Sequence, residues 1–131
     1  MRIEARVSNT GSGHTLEVST DGCPQSITIL PKASGKGSSA NGGELLFAAL
    51  ATCFCNDLYR EAAKRNLRIR GVDIEVAGTF GKVGEPAQDI SYRVKVEAEA
   101  TASAIDELIR ATDAVAKIRN TLALTSLPLC R

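Results

Sequence analysis

"GGELLFAALATCFCNDL", residues 42–58, places Cys53 and Cys55 two positions apart in a run of small and apolar side chains that begins at Leu45 and ends at Asn56. Four readings compete for the two thiols: core filler, a disulfide, a metal clip or a catalytic pair. The spacing predicts a helix from about Gly43 to Asn66, with Glu44 suited to the positive N-terminal end and Lys64 and Arg65 to the negative C-terminal end. Its first half, Leu45 to Cys55, is apolar on every side and is expected to be surrounded by protein. Asp57, Arg60, Glu61, Lys64 and Arg65 are expected to restore a wet face further along. Ala48, Ala49, Ala51 and Thr52 are small enough to let another backbone approach closely.

Upstream of the helix, the stretch from Arg2 to Val7 alternates polar and apolar side chains and presents Ile3, Ala5 and Val7 on one face of a strand. His14 to Ser19 and Gln25 to Leu30 repeat the pattern. The intervening turns carry Asn, Asp and Gly, so an antiparallel meander is expected. Residues 32–43, KASGKGSSANGG, are rich in Gly, Ser and Lys and read as a flexible connection. Gly35, Lys36, Gly37 and Ser38 do not form a phosphate loop, because no strongly apolar strand feeds a helix through them.

Downstream, strands are expected over Arg68 to Phe80 and Asp89 to Glu99, joined by a turn-rich segment at 81–86. A capping-box-like start at Ser103 to Asp106 leads into a second amphipathic helix, with an interruption allowed for. Pro128 ends anything helical, and Leu127, Pro128 and Leu129 are expected to add a short edge strand. Three strands, a helix, two strands and a helix make a single α+β domain over 1–131, with helices on one side of antiparallel strands.

Composition narrows the function classes. With 131 residues and 44% hydrophobic content, the chain is long enough to bury a real core. Sixteen Lys and Arg against fifteen Asp and Glu, with no basic cluster, argue against a nucleic-acid partner. The N-terminus lacks an apolar signal region and the longest apolar run is too short to span a bilayer, so a soluble, cytoplasmic protein without membrane contact is expected. Cys23, Cys53, Cys55 and Cys130 are irregularly spaced, and reduced thiols are the expectation.

The segment from Asn41 to Cys53, NGGELLFAALATC, resembles the "P-E-E-L-L-x-A-A-x-A-S-C" helix of the OsmC/Ohr family, and the element order matches across nearly the whole chain. The resemblance implies an OsmC-like fold: an intertwined homodimer with antiparallel sheets around two central helices. It also implies thiol-dependent peroxidase chemistry on organic hydroperoxides. In that family the first Cys attacks the peroxide and becomes a sulfenic acid. It then condenses with a second Cys at a "C-P-x-S" turn, while an Arg and a Glu hold the thiolate.

Residue by residue, Cys53 takes the position of the reactive thiol. The family's functional carboxylate falls on Gly43, and Glu44 matches the neighbouring Glu. The segment from Ala116 to Leu122 resembles "C-P-V-S-N-T-L", so Ala116 stands for the resolving Cys and Lys117 for its Pro. The family's arginine comes from the N-terminal region, where this chain offers only Arg2 and Arg6.

Side chains two apart on a helix diverge by about 200°, so Cys53 and Cys55 cannot bridge without unwinding it. With no C-x-x-C pair and a single histidine, His14, a metal clip is not expected, and nothing in the residues asks for a cofactor. Cys55 reads as a small core side chain. Cys53 needs a nearby cation, for which Arg60 is the candidate on its own helix face and Arg2 or Arg6 of a partner subunit the alternative. Arg60 is also in reach of Asp57 and Glu61. His14, Cys23 and Cys130 read as a strand-surface residue, a turn-flanking thiol and a terminal thiol, with Cys130 or Cys23 available as a relocated resolving thiol.

Two functions follow. One is a peroxidase that uses Cys53 on a small hydroperoxide, with an external small-molecule thiol as resolving partner. The other is a noncatalytic dimer with an apolar pocket near Cys53 for a small hydrophobic ligand.

Overall fold

The computed structural model describes residues 1–122 and the backbone of 129–130, and the chain resolves into two compact units, Met1–Glu44 and Leu45–Arg131. In the first, β1 (Ile3–Thr10), β2 (Gly13–Thr20) and β3 (Cys23–Ile27) form an antiparallel meander in that order. Directly opposed residues share a face, so the pairs Ala5 with Val18, Val7 with Leu16 and Leu16 with Ile27 gather the apolar side chains on one side. Ile3, Val7 and Ile27 on that side remain 64%, 59% and 43% exposed. The strand β3 begins at Cys23 and ends at Ile27 rather than running from Gln25 to Leu30. The tight turn at Asp21 and Gly22, with φ of 49° and 81°, starts the ladder at once with the pair Thr20 and Cys23.

The segment expected to be a flexible connection is instead organised. Lys32 N–H donates to Gly37 O at 3.0 Å and Ser39 N–H to Leu30 O at 2.8 Å, around a bridge between Pro31 and Ser38. Asn9 then clamps the loop, its Oδ1 accepting Gly37 N–H at 3.1 Å and its Nδ2 donating to Gly37 O at 3.4 Å. Local hydrogen bonds of this kind are invisible in composition.

The helix α1 (Gly42–Lys64) opens with a capping box: Asn41 Oδ1 accepts Glu44 N–H at 2.9 Å and Glu44 Oε2 accepts Asn41 N–H at 2.8 Å. It ends in a Schellman motif, with Asn66 left-handed at φ 53°, Leu67 N–H on Ala62 O and Asn66 N–H on Ala63 O. In the second unit, β4 (Ile69–Phe80) and β5 (Ala87–Ala98) pair antiparallel, and β6 (Leu129–Cys130) pairs parallel with β5. That parallel edge departs from the expected all-antiparallel arrangement, and positions 127 and 128 of the expected edge strand lie outside the described residues. Gly78 sits where a Cβ would lie 2.8 Å from Phe47 Cζ, so its missing side chain is what lets Phe47 close on β4.

The helix α2 (Ala102–Val115) starts earlier than expected, because Thr101 rather than Ser103 is the cap, its Oγ1 accepting Ala104 N–H at 3.1 Å. The interruption is present: Ala116, at φ −66° and ψ 96°, separates α2 from the short α3 (Lys117–Thr121). Among the described residues no helix is long and apolar enough to cross a membrane.

The core of this unit joins Leu50, Phe54, Leu58 and Ala62 of α1 to Ile90, Tyr92 and Val94 of β5 and to Leu108 and Ile109 of α2. The α1 residues recur at intervals of four, one helical stripe, and those of β5 at intervals of two, one face of a strand. The Phe54 and Tyr92 rings meet at 5.3 Å between centroids.

Within the single chain Leu45 is 38% exposed, and Ala48, Ala49 and Thr52 are also exposed, which leaves the apolar half to be covered by a second copy as expected of a dimer. One expectation for α1 is reversed. The charged half is not simply wet, since Asp57 and Glu61 are 4% and 5% exposed. Both carboxylates lie on the core-facing side, and longer basic side chains one turn away fold over them. Lys64 Nζ reaches Glu61 Oε1 at 2.7 Å and Arg65 Nη1 reaches Glu61 Oε2 at 3.0 Å.

Hydrogen bonds from Lys64 and then Arg65 hold the Glu61 carboxyl below its ordinary value of 4.5, against the opposing effect of burial. A depressed folded-state pKa contributes stability above the unfolded value and loses it as pH falls through the folded value. Glu61→Gln should therefore be less stable than the parent at pH 7, with the gap closing as pH drops below 4.5. Urea midpoints measured between neutral and acidic pH check this, and a gap that stays constant would show that the two cations do not hold Glu61.

Candidate functional site

Because the stripe Leu50, Phe54 and Leu58 is pinned to β5, the rotation of α1 is fixed, and Cys53 is turned to one side of that contact in a half-buried position. Helical periodicity sets Asp57 one turn and Arg60 two turns further along the same stripe. The Cys53 Sγ–H donates to Asp57 Oδ2 at 3.6 Å, and Arg60 Nη1 forms an ion pair with Asp57 Oδ1 at 2.7 Å. A buried carboxylate is costly unless it is paired, and here one oxygen takes the guanidinium and the other the thiol. Arg60 Nε also lies 3.8 Å from Glu61 Oε1. The thiol proton is thus directed at a fixed carboxylate, the geometry a base needs to accept it as a thiolate forms.

A second polar group lies in the same unit. Tyr92 is 1% exposed beneath Phe54, and its hydroxyl is pushed up to about 12, first by burial and then by the charges of Cys53 and Asp113, with Arg119 acting in the opposite sense. It is a protonated phenol at neutral pH. Asp113, near the end of α2, meets Arg119 of α3 across the break at Ala116, with Arg119 Nε 3.3 Å from Asp113 Oδ1. The contact is an ion pair without hydrogen-bond alignment, for both atoms are buried and neither has a hydrogen-bond partner among the described residues.

Of the residues singled out in the sequence, Cys53 and Arg60 are brought together, through Asp57. The Arg60 guanidinium serves the carboxylate rather than the sulfur. The Glu44 carboxylate is engaged in the helix cap. Arg2 and Arg6 belong to the first unit, where the Arg2 guanidinium pairs with Glu4 at 3.0 Å. Cys23 is exposed at the start of β3, also in the first unit, and the backbone of Cys130, in β6, pairs with Arg93 of β5. Ala116, where the resemblance puts a resolving thiol, is buried at 2% exposure. Cys55 is not core filler: it is half-buried and lines an open groove of about 360 Å³ with Ala51, Thr52, Asn56, Val72 and Ile74. No group of three or more metal-ligating side chains forms among the described residues.

The sequence reading missed Asp57 as a site residue although its spacing of four from Cys53 was visible.

A family model described as "OsmC-like protein" matches residues 35–128. No curated protein sequence matches the chain. Among solved structures, the chain is similar to an OsmC-like protein from Mycoplasma pneumoniae, at a TM-score of 0.72 and 16% identity over 98% of this chain and 93% of that one. It is similar to an OsmC-like protein of unknown function from Vibrio cholerae, at a TM-score of 0.69 and 17% identity over 98% and 96%. An organic hydroperoxide resistance protein from Elizabethkingia anophelis, with thiocyanate bound, gives a TM-score of 0.62 and 15% identity over 98% and 92%. At these identities the likeness is one of fold.

The pairing of Asp57 with Arg60 is open to a double-mutant cycle. Arg60→Ala should cost about 1–3 kcal/mol, reduced from the fully buried case because Arg60 is itself half in water, by leaving the Asp57 carboxylate buried without its cation. In an Asp57→Asn background the same change should cost little. Denaturant unfolding of the four proteins reads the coupling, and additivity within about 0.5 kcal/mol would show that the two side chains do not interact.

Proposed function

Because the chain belongs to the OsmC-like protein family, we propose that it is a thiol peroxidase that reduces small organic hydroperoxides through Cys53, with an external small-molecule thiol as its resolving partner. The observation that carries this reading is the hydrogen bond from Cys53 Sγ to the buried, Arg60-held carboxylate of Asp57. Its support from known proteins is the fold likeness to an organic hydroperoxide resistance protein.

In this reading the thiol proton passes to Asp57 and the thiolate attacks the terminal oxygen of the hydroperoxide. The O–O bond breaks, Cys53 becomes a sulfenic acid, and the alkoxide leaves as an alcohol once it takes up a proton. An external thiol then attacks the sulfenic sulfur and releases water, leaving a mixed disulfide. A second thiol regenerates Cys53 and departs as the external disulfide, so that one hydroperoxide and two thiols give an alcohol, water and a disulfide. The external partner answers to Ala116, which stands where the family resemblance puts the internal one.

The same reading includes a homodimer. The exposed apolar face of the meander and the small-residue groove beside Cys55 are the surfaces a second copy would cover. The alternative reading is a noncatalytic dimer that binds a small hydrophobic molecule near Cys53.

Limited treatment with an organic hydroperoxide, followed by intact-mass and peptide mapping, should find sulfenic acid on Cys53, or a mixed disulfide there when a small thiol is added. Cys53→Ser should abolish turnover and Cys55→Ala should leave it nearly unchanged. A Cys53 that stays unmodified while a denatured control reacts would favour the noncatalytic dimer, and a bridge from Cys53 to Cys130 or Cys23 would reveal an internal resolving thiol.

Sedimentation equilibrium at micromolar concentration should give twice the chain mass of 13.8 kDa. A stable folded monomer would remove the dimer from both readings.

A further inference from the structure

The loop between β3 and α1 is tied to the meander through one side chain, and that side chain also touches the only histidine of the sequence. Asn9 and His14 are directly opposed in the β1–β2 ladder and so share a face, with Asn9 Nδ2 3.2 Å from His14 Nδ1. Among the described residues, the hydrogen bonds that join the loop to β1 and β2 are the two that Asn9 makes with Gly37, at 3.1 and 3.4 Å. The loop's other hydrogen bonds run within residues 30–39, where Ser38 Oγ is buried without a partner.

The backbone fixes which way the Asn9 amide points. Gly37 N–H can only donate and Gly37 O can only accept, so Asn9 must present Oδ1 to the first and Nδ2 to the second. The ring nitrogen that faces Nδ2 must then be an acceptor, which makes His14 a neutral imidazole with its proton on Nε2. An imidazolium has no acceptor to offer. With His14 charged, Asn9 could turn its oxygen to Nδ1–H, but its Nδ2 would then meet Gly37 N–H, donor against donor. No carboxylate on this face offsets the charge: it continues through Val7, Leu16, Val18, Gln25 and Ile27, and its one titratable group besides His14 is Cys23, at the far end. Glu4, Arg6 and Glu17 stand on the other face. The charged side chains of the loop are both cations, Lys36 and Lys32, the stem of the latter lying beside Gly37.

We infer that Asn9 is a relay that couples the charge of His14 to the docking of the loop at residues 31–39, a pH-sensitive clasp that is closed while His14 is neutral and opens when it takes up a proton. The sign follows from the tautomer: docking is present above the ordinary histidine range, at about pH 6.5, and is lost as pH falls through it. Ser39 N–H is bonded to Leu30 O, and Asn41, two residues on, caps α1. The clasp therefore holds the segment that leads directly into the helix of Cys53. The inference stands apart from the peroxidase reading and does not depend on it.

Hydrogen exchange at the Gly37 amide, followed by NMR on the intact protein and corrected for the intrinsic pH dependence of exchange, reads the clasp. From about pH 7.5 to about pH 5, across the histidine range, protection at Gly37 should fall about tenfold, as for the loss of one hydrogen bond, while the amides of the β1–β2 ladder keep theirs. In His14→Gln, which does not titrate, the change over the same range should stay within about twofold. Asn9→Asp reverses the sign, because a carboxylate accepts from Gly37 N–H and from an imidazolium at once, so its protection should rise toward acid rather than fall. Flat protection in the parent, an equal fall in His14→Gln, or a parent-like fall in Asn9→Asp would each overturn the inference. A fall shared by the whole β1–β2 ladder would also overturn it, since the meander would then be unfolding rather than releasing the loop. Should His14→Gln fail to fold by circular dichroism, the opposite signs expected of the parent and Asn9→Asp decide the matter.

Discussion

The seating of Leu50, Phe54 and Leu58 of α1 on Ile90, Tyr92 and Val94 of β5 is the contact on which the rest of this structure depends. A stripe with a period of four meets a strand face with a period of two, and the rings of Phe54 and Tyr92 lock the match at 5.3 Å. Truncating a buried aromatic of this kind typically costs about 3–5 kcal/mol, so the rotation of the helix about its axis is firmly set. Once it is set, every other residue of α1 has its direction assigned. Cys53 falls to one side of the seam, Cys55 turns toward the groove with Val72 and Ile74, and Asp57 and Glu61 are carried inward.

That inward turn gives the helix its electrostatic character. Two carboxylates one turn apart would repel each other and resist burial, yet each is answered by basic side chains three or four residues on. Glu61 takes Lys64 and Arg65. Asp57 takes only Arg60, and its second oxygen is left to the Cys53 thiol. The two carboxylates of one helix thus differ in which neighbour lies one turn back: Cys53 for Asp57, and Asp57 itself for Glu61.

The departures from the family pattern also fit a physical account. Ala116 fills with a methyl group the position matched to a resolving thiol, and its extended ψ of 96° breaks the helix so that Arg119 turns back onto Asp113. Glu44, the carboxylate nearest the family's position, is satisfied by the backbone N–H of Asn41.

From the sequence alone, the α+β class, the order of the elements, the long central helix, the break in the second helical region and the place of Cys53 were all legible. Each is written in a local period or in a contiguous motif, and local backbone preferences act over the same few residues. The strand and cap boundaries moved because single hydrogen bonds decide them, as Thr101 does for α2. The reading of the second half of α1 as wet failed because it averaged around the helix. Burial is decided by which single stripe meets β5, and that is a property of the packed chain. Asp57 became part of the site through that rotation. Asp113 meets Arg119 because the break at Ala116 turns α3 back, and Tyr92 meets Phe54 because a strand and a helix remote in sequence share one core.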